Sequence, residues 1–589
     1  MDLLTRDVAL SKATRAVGLA ALSLLMGIAV WSAAIAASPL TQSGDGQYFH
    51  RIMEIAKVSV LRYHELPLWN AFECGGVPLW DNPEMPVASP LVYLTLPLSG
   101  THTMWVWYIL HTAAGFASMW LFSRRELGLT RAAAFASSSL WALGVGHVTQ
   151  YAGGHATLCN FYLFPLALLL FRRAEENIDC AVGLGLLFSF MFLEGSLYPL
   201  VYTSLLLACE AVIRLALTKP SEIPGRLGRM ARGALVTSVV TLFVTACRLF
   251  PVLDQVSRHK RELAIETDAI SFETLRAMFF ARQHGWTVPG QTYVWPEFAS
   301  YFGYVAMILF VIGVAFAVWE YTWLGVLGLV AFALMMGHFS PWAPWHVLKE
   351  HVFPFNSMRV PSRFRLYVAF FIASFVGLAA DRVHVVVRRF GFDSKATQLA
   401  RVFTLVFALF AAGDVYAVAH ETVAQKYVSP PETVVRPSTR LSLEGPGMAP
   451  FLDQPRQNRG RLMCADSWPF TAGAPVWTGD VPQARALDGN ATVEVADRTP
   501  STFTLEVDVR AAARVAVNTP FEPGWRTDVG RAVEDKKLLV LELPPGRHRV
   551  KVHYWPHGMT LGLVLTSVGL LGAAAFLTRR LWARRRPTA

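Results

Sequence analysis

The sequence predicts a mainly helical protein that crosses a membrane many times and carries an antiparallel β domain near its C-terminus. Two observations predict the helical class. Of the 589 residues, 53% are hydrophobic and only 16% are charged, whereas an average soluble protein carries about 25% charged residues. A third observation predicts the β domain: polar and apolar residues alternate in stretches between residues 492 and 554, which is typical of half-buried strands.

Twelve apolar segments are long enough to cross a hydrocarbon core of ~30 Å. They are residues 14–37, 101–123, 131–149, 155–171, 180–197, 198–217, 232–252, 301–319, 322–338, 363–380, 400–419 and 558–578. Short clusters of Lys and Arg between them fall on one side of the membrane, as in cytoplasmic loops. Both termini are then cytoplasmic. The net charge of +11 lies in these clusters rather than on one basic face, so we expect no nucleic-acid partner.

The first apolar segment ends in a small-residue sequence at 33–38 that resembles a signal-peptidase site. Its apolar stretch of about 20 residues is long for a signal peptide. A retained helix is therefore favoured over cleavage.

Three segments on the outer side are too long to be simple connections, namely 38–100, 253–300 and 420–557. Long loops of this kind commonly carry function. The predicted domains are a transmembrane core at 1–420, an outer β-sandwich-like domain at 421–557, and a last span with a basic cytoplasmic tail at 558–589. A stretch at 429–460, rich in Pro, Gly, Ser and Arg, is predicted to be a linker.

The most informative single residue is Asp45, in the sequence Ser-Gly-Asp-Gly just beyond the first span. An acid at this position, followed by an amphipathic stretch that suits an interfacial helix, suggests chemistry on a membrane-borne substrate. The alternative is a helix cap or turn residue, which is a frequent use of Asp.

Several short motifs occur in a fixed order along nearly the whole chain. They are Leu66-Pro67-Leu68-Trp69-Asn70, Gly75-Gly76-Val77-Pro78-Leu79, Gly154-His155, Tyr301-Phe302-Gly303, Arg359-Val360-Pro361-Ser362-Arg363-Phe364, Pro523-Gly524-Trp525, Pro544-Pro545-Gly546-Arg547-His548 and Tyr554-Trp555-Pro556. In this order they resemble the YfhO-like bacterial membrane proteins of the GT-C glycosyltransferase superfamily. The resemblance implies an enzyme of the bacterial inner membrane with its site on the outer face. It also implies a polyprenyl-phosphate-linked sugar as donor and a catalytic acid in the first outer loop.

Two acids are candidate catalytic residues. Asp45 is suited to act as the base that takes a proton from the acceptor hydroxyl, or to hold a divalent cation against the leaving phosphate. Glu297, just before a span on the same side, would orient the acceptor or complete a metal site; the alternative is a solvated loop glutamate. If the protein uses a cofactor, these acids suit a divalent cation, Mg²⁺ or Mn²⁺.

Arg359 and Arg363 are predicted to bind the donor phosphate. They lie at the outer mouth of a span, where positive charge runs against the positive-inside trend. One guanidinium group can donate to two oxygens of the same phosphate. The alternative is an interfacial anchor for ordinary lipid headgroups.

Three further residues are candidates for substrate binding. His155 and His338 lie on outer loops, where a locally satisfied polar side chain is the simpler interpretation. Glu194 lies near the outer end of a predicted span and could line the same cavity as Asp45.

Cys74 and Cys464 both fall on the oxidising outer side. They either form a disulfide that ties the first loop to the C-terminal domain or remain two free thiols. The other four cysteines lie in or beside spans, as small apolar residues often do.

The sequence contains no nucleotide-binding loop, no Cys-x-x-Cys zinc pair and no Gly-x-Ser-x-Gly nucleophile elbow. The function that the resemblance implies is transfer of a sugar from the lipid carrier to an outer-face lipid, glycan or cell-wall polymer. A transporter or flippase of lipid-linked glycans is the main alternative, although such proteins usually show two related halves. A non-catalytic envelope assembly protein is a third.

Overall fold

The computed structural model describes residues 12–37, 41–42, 44–259, 261, 268–429, 441–444, 454–462, 464, 473–479 and 481–585. Most of the predicted linker at 429–460 lies outside these residues. The described chain is mainly helical up to Gln425 and mainly β from there to Tyr554, with one last helix.

Seventeen α-helices lie in the described residues. They are α1 (Lys12–Ala36), α2 (Asp45–Leu61), α3 (Pro90–Leu94), α4 (Gly100–Arg125), α5 (Arg131–Ala142), α6 (Val145–Ala152), α7 (Phe164–Ala174), α8 (Ile178–Leu193), α9 (Leu197–Ala216), α10 (Ile223–Arg258), α11 (Phe272–Phe280), α12 (Gly303–Ala317), α13 (Thr322–Met335), α14 (Pro344–His351), α15 (Arg365–Arg389), α16 (Ser394–Gln425) and α17 (Met559–Arg585). Short 3₁₀ turns include Ala156–Leu163, Trp295–Glu297 and Pro361–Phe364.

Six of these helices are long and apolar enough to cross a membrane, namely α1, α9, α10, α15, α16 and α17. The chain is thus a multi-pass membrane protein with a mainly helical core, as predicted. Three shorter apolar helices, α8, α12 and α13, also lie over predicted spans. The full count of twelve spans stays a prediction.

Two of the predicted spans are not continuous helices. The segment 131–149 is divided between α5 and α6 at Leu143 and Gly144. The segment 155–171 begins as the 3₁₀ turn Ala156–Leu163 and becomes α-helical only at α7, where Pro165 occupies the first turn. Proline suits that position because it has no N–H to donate. These breaks bring α6 into the interior, where all eight of its residues are buried.

The helical core is organised around α15, whose residues from Arg365 to Asp381 are all buried. A helix that is apolar on every side is expected to be surrounded by others.

Asp393 caps the start of α16: its Oδ1 accepts from the N–H of Ala396 at 2.7 Å. This helix runs to Gln425, five residues past the predicted domain boundary at 420.

Fourteen strands are present in the described residues. They are β1 (Thr41–Gln42), β2 (Trp69–Asn70), β3 (Val77–Pro78), β4 (Tyr427–Val428), β5 (Ser442–Glu444), β6 (Arg459–Arg461), β7 (Ala484–Ala486), β8 (Ala491–Arg498), β9 (Thr502–Val509), β10 (Ala513–Pro520), β11 (Trp525–Thr527), β12 (Arg531–Asp535), β13 (Leu538–Leu543) and β14 (Gly546–Tyr554). Strand β1 pairs with β4, which places the ends of α1 and α16 side by side.

The C-terminal β region contains two four-stranded sheets, with strand orders β12-β13-β10-β7 and β11-β14-β9-β8. Within each sheet all pairs are antiparallel. Alternate residues of β9, such as Phe503, Leu505 and Val507, are buried and join those of β13 in one apolar cluster. The predicted antiparallel β region is confirmed.

Helix α2 is not an interfacial helix, because its polar face is buried as well as its apolar one. Its buried residues include Arg51, Glu54 and Lys57. Arg51 Nε donates to Glu73 Oε1 at 2.7 Å, and Glu54 Oε2 accepts from Arg456 Nε at 2.6 Å. The amphipathic pattern suggested lipid contact, but ion pairs with other segments cover the charged side instead.

The β region docks on the segment between α2 and α3. Trp69 packs between Trp525 and Tyr554, with ring centroids 5.1 and 4.7 Å apart. Cys74 and Cys464 are joined by a disulfide, with their Cα atoms 4.6 Å apart. Tyr554 Oη donates to Asp81 Oδ2 at 2.7 Å.

Asp81 makes this docking sensitive to pH. Burial raises the pKa of its carboxyl from 3.8 to about 7, even though the hydrogen bond from Tyr554 lowers it. Because the folded state then binds the proton more tightly, its stability falls as the pH rises from about 4 to about 7. An amide at this position would stay neutral and would still accept from Tyr554.

We therefore expect Asp81→Asn to raise the apparent melting temperature in detergent at about pH 8, relative to the wild type, and to change it little at about pH 4. Glu534→Gln, at an exposed acid of the β region, is the control and should show no such difference. An equal change from Asp81→Asn at both pH values would contradict the assignment.

Candidate active site

Asp45 is the first residue of α2, and its carboxylate does not cap that helix. The N-cap is Gly44, at φ 63°, and no side chain caps this end. A negative charge in the first turn of a helix interacts favourably with the helix dipole. The Asp45 side chain is 62% exposed, so it is available to a ligand.

A glycine turn brings His155 to Asp45. Gly154 has φ +105°, and a Cβ atom on it would lie 2.0 Å from the backbone nitrogen of Gly46. Only glycine allows so close an approach of the two backbones. His155 Nε2 then lies 3.2 Å from Asp45 Oδ2.

Gln150 holds the Nδ1 side of the His155 ring. Gln150 Oε1 accepts from Arg365 Nη2 at 2.7 Å, which turns its amide nitrogen toward His155 Nδ1, 3.0 Å away. Nδ1 also lies 3.2 Å from the Gln150 backbone carbonyl oxygen. Because a carboxylate only accepts, Nε2 carries a proton and donates to Asp45 Oδ2, which leaves Oδ1 for another partner.

Glu297 and Arg363 form a buried two-point ion pair. Arg363 Nε donates to Glu297 Oε2 at 3.0 Å, and Arg363 Nη2 to Oε1 at 2.5 Å. Burial alone would raise the pKa of Glu297, but the Arg363 guanidinium lowers it to about 2. Glu297 is thus a carboxylate that Arg363 neutralises. Its Oε1 also lies 3.7 Å from His155 Nε2.

Arg365 joins this pair to α6. Its side chain is fully buried and donates to the carbonyl oxygens of Pro296 and Ala299 at 2.7 and 3.1 Å, besides its bond to Gln150. Five guanidinium N–H groups in a rigid fork suit such bridging. The Trp295–Glu297 turn is therefore held against the helix that leads to His155.

Arg359 is positioned by its backbone. Its N–H donates to Tyr198 Oη at 3.3 Å, and its carbonyl accepts from Tyr202 Oη at 3.2 Å. The next residue, Val360, has φ 65°, a strained conformation for a β-branched residue that often marks functional sites. The Arg359 side chain is half-buried and has no ion-pair partner among the described residues.

Asp45, His155, Arg359 and Arg363 line one cavity of about 180 Å³, named here the Asp45 cavity. Its other lining residues include Tyr48, Glu84, Met85, Tyr198 and Arg261. Arg363 is paired with Glu297, and Arg261 lies 3.1 Å from Glu84 Oε1. Of the described arginines in the cavity, Arg359 is the one left to neutralise a bound anion.

Two predicted substrate-binding residues lie elsewhere. Glu194 is fully buried and accepts from His111 Nε2 at 2.8 Å, Asn160 Nδ2 at 2.6 Å and Ser89 Oγ at 3.0 Å. It joins the end of α8 to α4 and to the segments around Ser89 and Asn160, and it does not line the Asp45 cavity. His338 Nδ1 lies 3.0 Å from His346 Nδ1, and His338 does not line the Asp45 cavity.

Glu84, Arg261, Gln150 and Arg365 were not predicted from the sequence. Glu84 follows a run of turn-forming residues at 81–83, which predicts a loop but no partner. Arg365 stands two residues after Arg363 in the basic motif, so a third arginine was visible there. That the Arg365 side chain is buried follows only from the path of α15 in the structure.

The acids fit poorly as a metal site formed by protein ligands. Both oxygens of Glu297 accept from Arg363, and the described residues contain no group of three or more His, Cys, Asp and Glu side chains that could hold a metal ion.

Comparison with known proteins gives few matches. No protein family model matches the chain, and no curated protein matches it. One similar solved structure is the arabinofuranosyltransferase AftD from Mycobacteria, with a TM-score of 0.43 and 15% identity over 93% of this chain. The chain spans 42% of the length of that AftD chain.

Another similar structure is ArnT from Cupriavidus metallidurans bound to undecaprenyl phosphate. It has a TM-score of 0.39 and 14% identity, over 78% of this chain and 87% of the ArnT chain. At these TM-scores neither likeness supports a statement about this chain's fold or activity.

The close contact at Gly154 gives a direct test of the site's geometry. We expect Gly154→Ala to lower the free energy of unfolding by more than ~1 kcal/mol and to separate His155 from Asp45. Thermal unfolding in detergent measures the first effect. Gly290→Ala is the matched control, because Gly290 also has a positive φ of +70° but has open space around it. Equal destabilisation by the two variants would show that the contact with Gly46 is unimportant.

Proposed function

We propose that the protein is a membrane glycosyltransferase that moves a sugar from a polyprenyl-phosphate donor to an acceptor hydroxyl. The observation that carries the proposal is the Asp45 cavity, which is lined both by an exposed carboxylate and by Arg359, an arginine with no carboxylate partner among the described residues. A base and a phosphate-binding cation are the two groups that this reaction requires. The resemblance of the sequence to YfhO-like members of the GT-C superfamily implies the same donor class.

In the proposed reaction the acceptor oxygen attacks the anomeric carbon of the donor sugar. The bond between that carbon and the phosphate oxygen breaks, and polyprenyl phosphate leaves with the bonding electron pair. Asp45 takes the acceptor's proton on Oδ1, while His155 holds Oδ2. Arg359 stabilises the negative charge that develops on the leaving phosphate.

In this scheme Arg363 and Glu297 position other residues and do not take part in the bond changes. Arg363 lines the cavity, but Glu297 satisfies most of its charge. Glu297 also lies within 3.7 Å of His155, and the pair thereby keeps the imidazole directed at Asp45. We therefore assign donor-phosphate binding chiefly to Arg359, and we assign Glu297 a positioning role.

We further propose that the Asp45 cavity opens on the outer face of a bacterial inner membrane. With twelve spans and cytoplasmic termini, the end of α1 lies outside, and Asp45 follows it after a few residues. The disulfide between Cys74 and Cys464 belongs to the same side, which suits an oxidising compartment. The acceptor is an outer-face lipid, glycan or cell-wall polymer.

The catalytic role of Asp45 is tested with purified protein in detergent and a labelled polyprenyl-phosphate hexose. We expect Asp45→Asn to slow release of polyprenyl phosphate by at least ~100-fold, because the amide cannot take the proton. Asp508→Asn, at a half-exposed acid of the β region, should keep wild-type release. Full release from Asp45→Asn would exclude this residue as the base. Movement of the intact lipid-linked sugar across vesicles without bond cleavage would instead support a flippase.

The role of Arg359 predicts a different kinetic change. Loss of a charge-assisted hydrogen bond costs about 1.5–3 kcal/mol, so we expect Arg359→Gln to raise the donor KM by about 10–100-fold. Undecaprenyl phosphate should inhibit this variant correspondingly less. Arg526→Gln, at an exposed arginine of the β region, is the control. An unchanged donor KM in Arg359→Gln would contradict the phosphate assignment.

A further inference from the structure

A second cavity, of about 170 Å³, lies beside the Asp45 cavity and is named here the aromatic cavity. Its walls come from α6, from the loop between α11 and α12, and from the end of α16. Its lining residues include Thr149, Gln283, His284, Trp286, Trp295 and Glu421. The volume is several times the ~30 Å³ share of one water molecule and below the ~300 Å³ of pockets for drug-sized ligands. It suits one sugar ring.

Two tryptophans give this cavity flat apolar surfaces. Trp295 is nearly buried and stacks on His284, with ring centroids 4.1 Å apart. Trp286 is 62% exposed, and its carbonyl accepts from the N–H of Trp295 at 3.0 Å, which holds the two residues side by side. A large exposed aromatic ring beside a polar pocket suits a ligand with one apolar face and polar edges.

Buried polar atoms in the cavity lack partners in the described part of the chain. Thr149 is 6% exposed, and its Oγ1 has no hydrogen-bond partner there. His284 Nε2 is also buried without one, and burial lowers the pKa of this histidine, so the ring is neutral. A buried polar group without a partner is costly, and hydroxyl groups of a ligand would satisfy both atoms.

The charges around the cavity favour an uncharged ligand. Arg282 is paired with Asp414, 2.5 Å from its Oδ1. Lys426 and Glu421 also line the cavity and carry opposite charges, and Lys426 Nζ lies over one face of the Trp286 ring, 5.1 Å from its centroid. Gln283 Nε2 donates to Glu421 Oε1 at 3.1 Å. The side-chain oxygen of Gln283 and Oε2 of Glu421 can then accept hydrogen bonds from hydroxyl groups of a ligand. The aromatic cavity thus differs from the Asp45 cavity, where Arg359 is left for an anion.

The turn Trp295–Glu297 forms a wall of the aromatic cavity and contacts residues that line the Asp45 cavity. Trp295 and Pro296 line the aromatic cavity, whereas Glu297 turns the other way, to Arg363 and His155. A 3₁₀ turn rises only ~2 Å per residue. A glycan that crosses this wall would therefore present neighbouring sugar units to the two cavities.

We propose that the aromatic cavity binds an uncharged sugar unit of the acceptor, next to the unit whose hydroxyl reacts at Asp45. The proposal rests on the proposed function for the identity of the ligand as acceptor. It names the acceptor class as a glycan of at least two sugar units with a neutral sugar in this cavity. Trp286 stacks on that sugar, and Thr149 and His284 bind its hydroxyl groups.

Binding is tested without donor, by calorimetric titration of the full-length protein in detergent. The probes are four neutral tetrasaccharides, of α-linked glucose, β-linked glucose, mannose and galactose, with tetragalacturonate as a charged probe. We expect at least one neutral probe to bind the wild type, and both Trp286→Ala and Thr149→Val to weaken that binding at least tenfold. The threonine variant keeps the shape of its side chain, so it separates lost binding from lost folding. Trp342→Ala, at another outer-loop tryptophan that is 88% exposed, should bind as the wild type does.

The proposal is overturned if no neutral probe binds, if tetragalacturonate binds as tightly as the neutral probes, or if the Trp286 and Thr149 variants both bind like the wild type. Failure of the proposed function would look different. In that case, polyprenyl phosphate release would be absent from the wild type, while glycan binding would still depend on Trp286.

Discussion

The buried ion pair between Glu297 and Arg363 is the interaction on which the site depends. Both side chains are nearly inaccessible to water, and they share two hydrogen bonds. Removing one partner of such a pair typically costs about 3–5 kcal/mol, because the other charge stays buried. The pair joins the loop before α12 to the start of α15. It also fixes the environment of His155, and through His155 the direction of Asp45.

This pairing separates the arginines near the Asp45 cavity into those that are neutralised or bonded within the protein and one that is not. Arg363 is neutralised by Glu297, and Arg365 is used by backbone carbonyls and Gln150. Arg359 keeps its charge for the cavity. The β region contributes from the other side, because its contacts with Asp81, Trp69 and Cys74 hold the segment that follows α2. A rigid surrounding of this kind is what electrostatic catalysis requires.

Much of this organisation could be predicted from the sequence, because hydropathy and alternation depend on neighbouring residues. The apolar helices and the antiparallel β region are examples. The pairing of Glu297 with Arg363 could not be predicted, since the two are 66 positions apart and neither motif specifies a partner. The burial of α2 was missed for the same reason: Glu54 meets Arg456 from a distant segment. Glu194 was predicted to line the cavity because the residues around it in the sequence do not show that distant side chains, such as that of His111, bury it.

The most direct test of the central claim is an experimental structure of the protein with undecaprenyl phosphate. The account predicts density for the phosphate in the Asp45 cavity, with its oxygens about 2.7–2.9 Å from the Arg359 guanidinium. Asp45 should stay in contact with His155 and face the phosphate. A phosphate bound at the opposite end of the helices, for example near Arg172 and Arg214, would contradict the account.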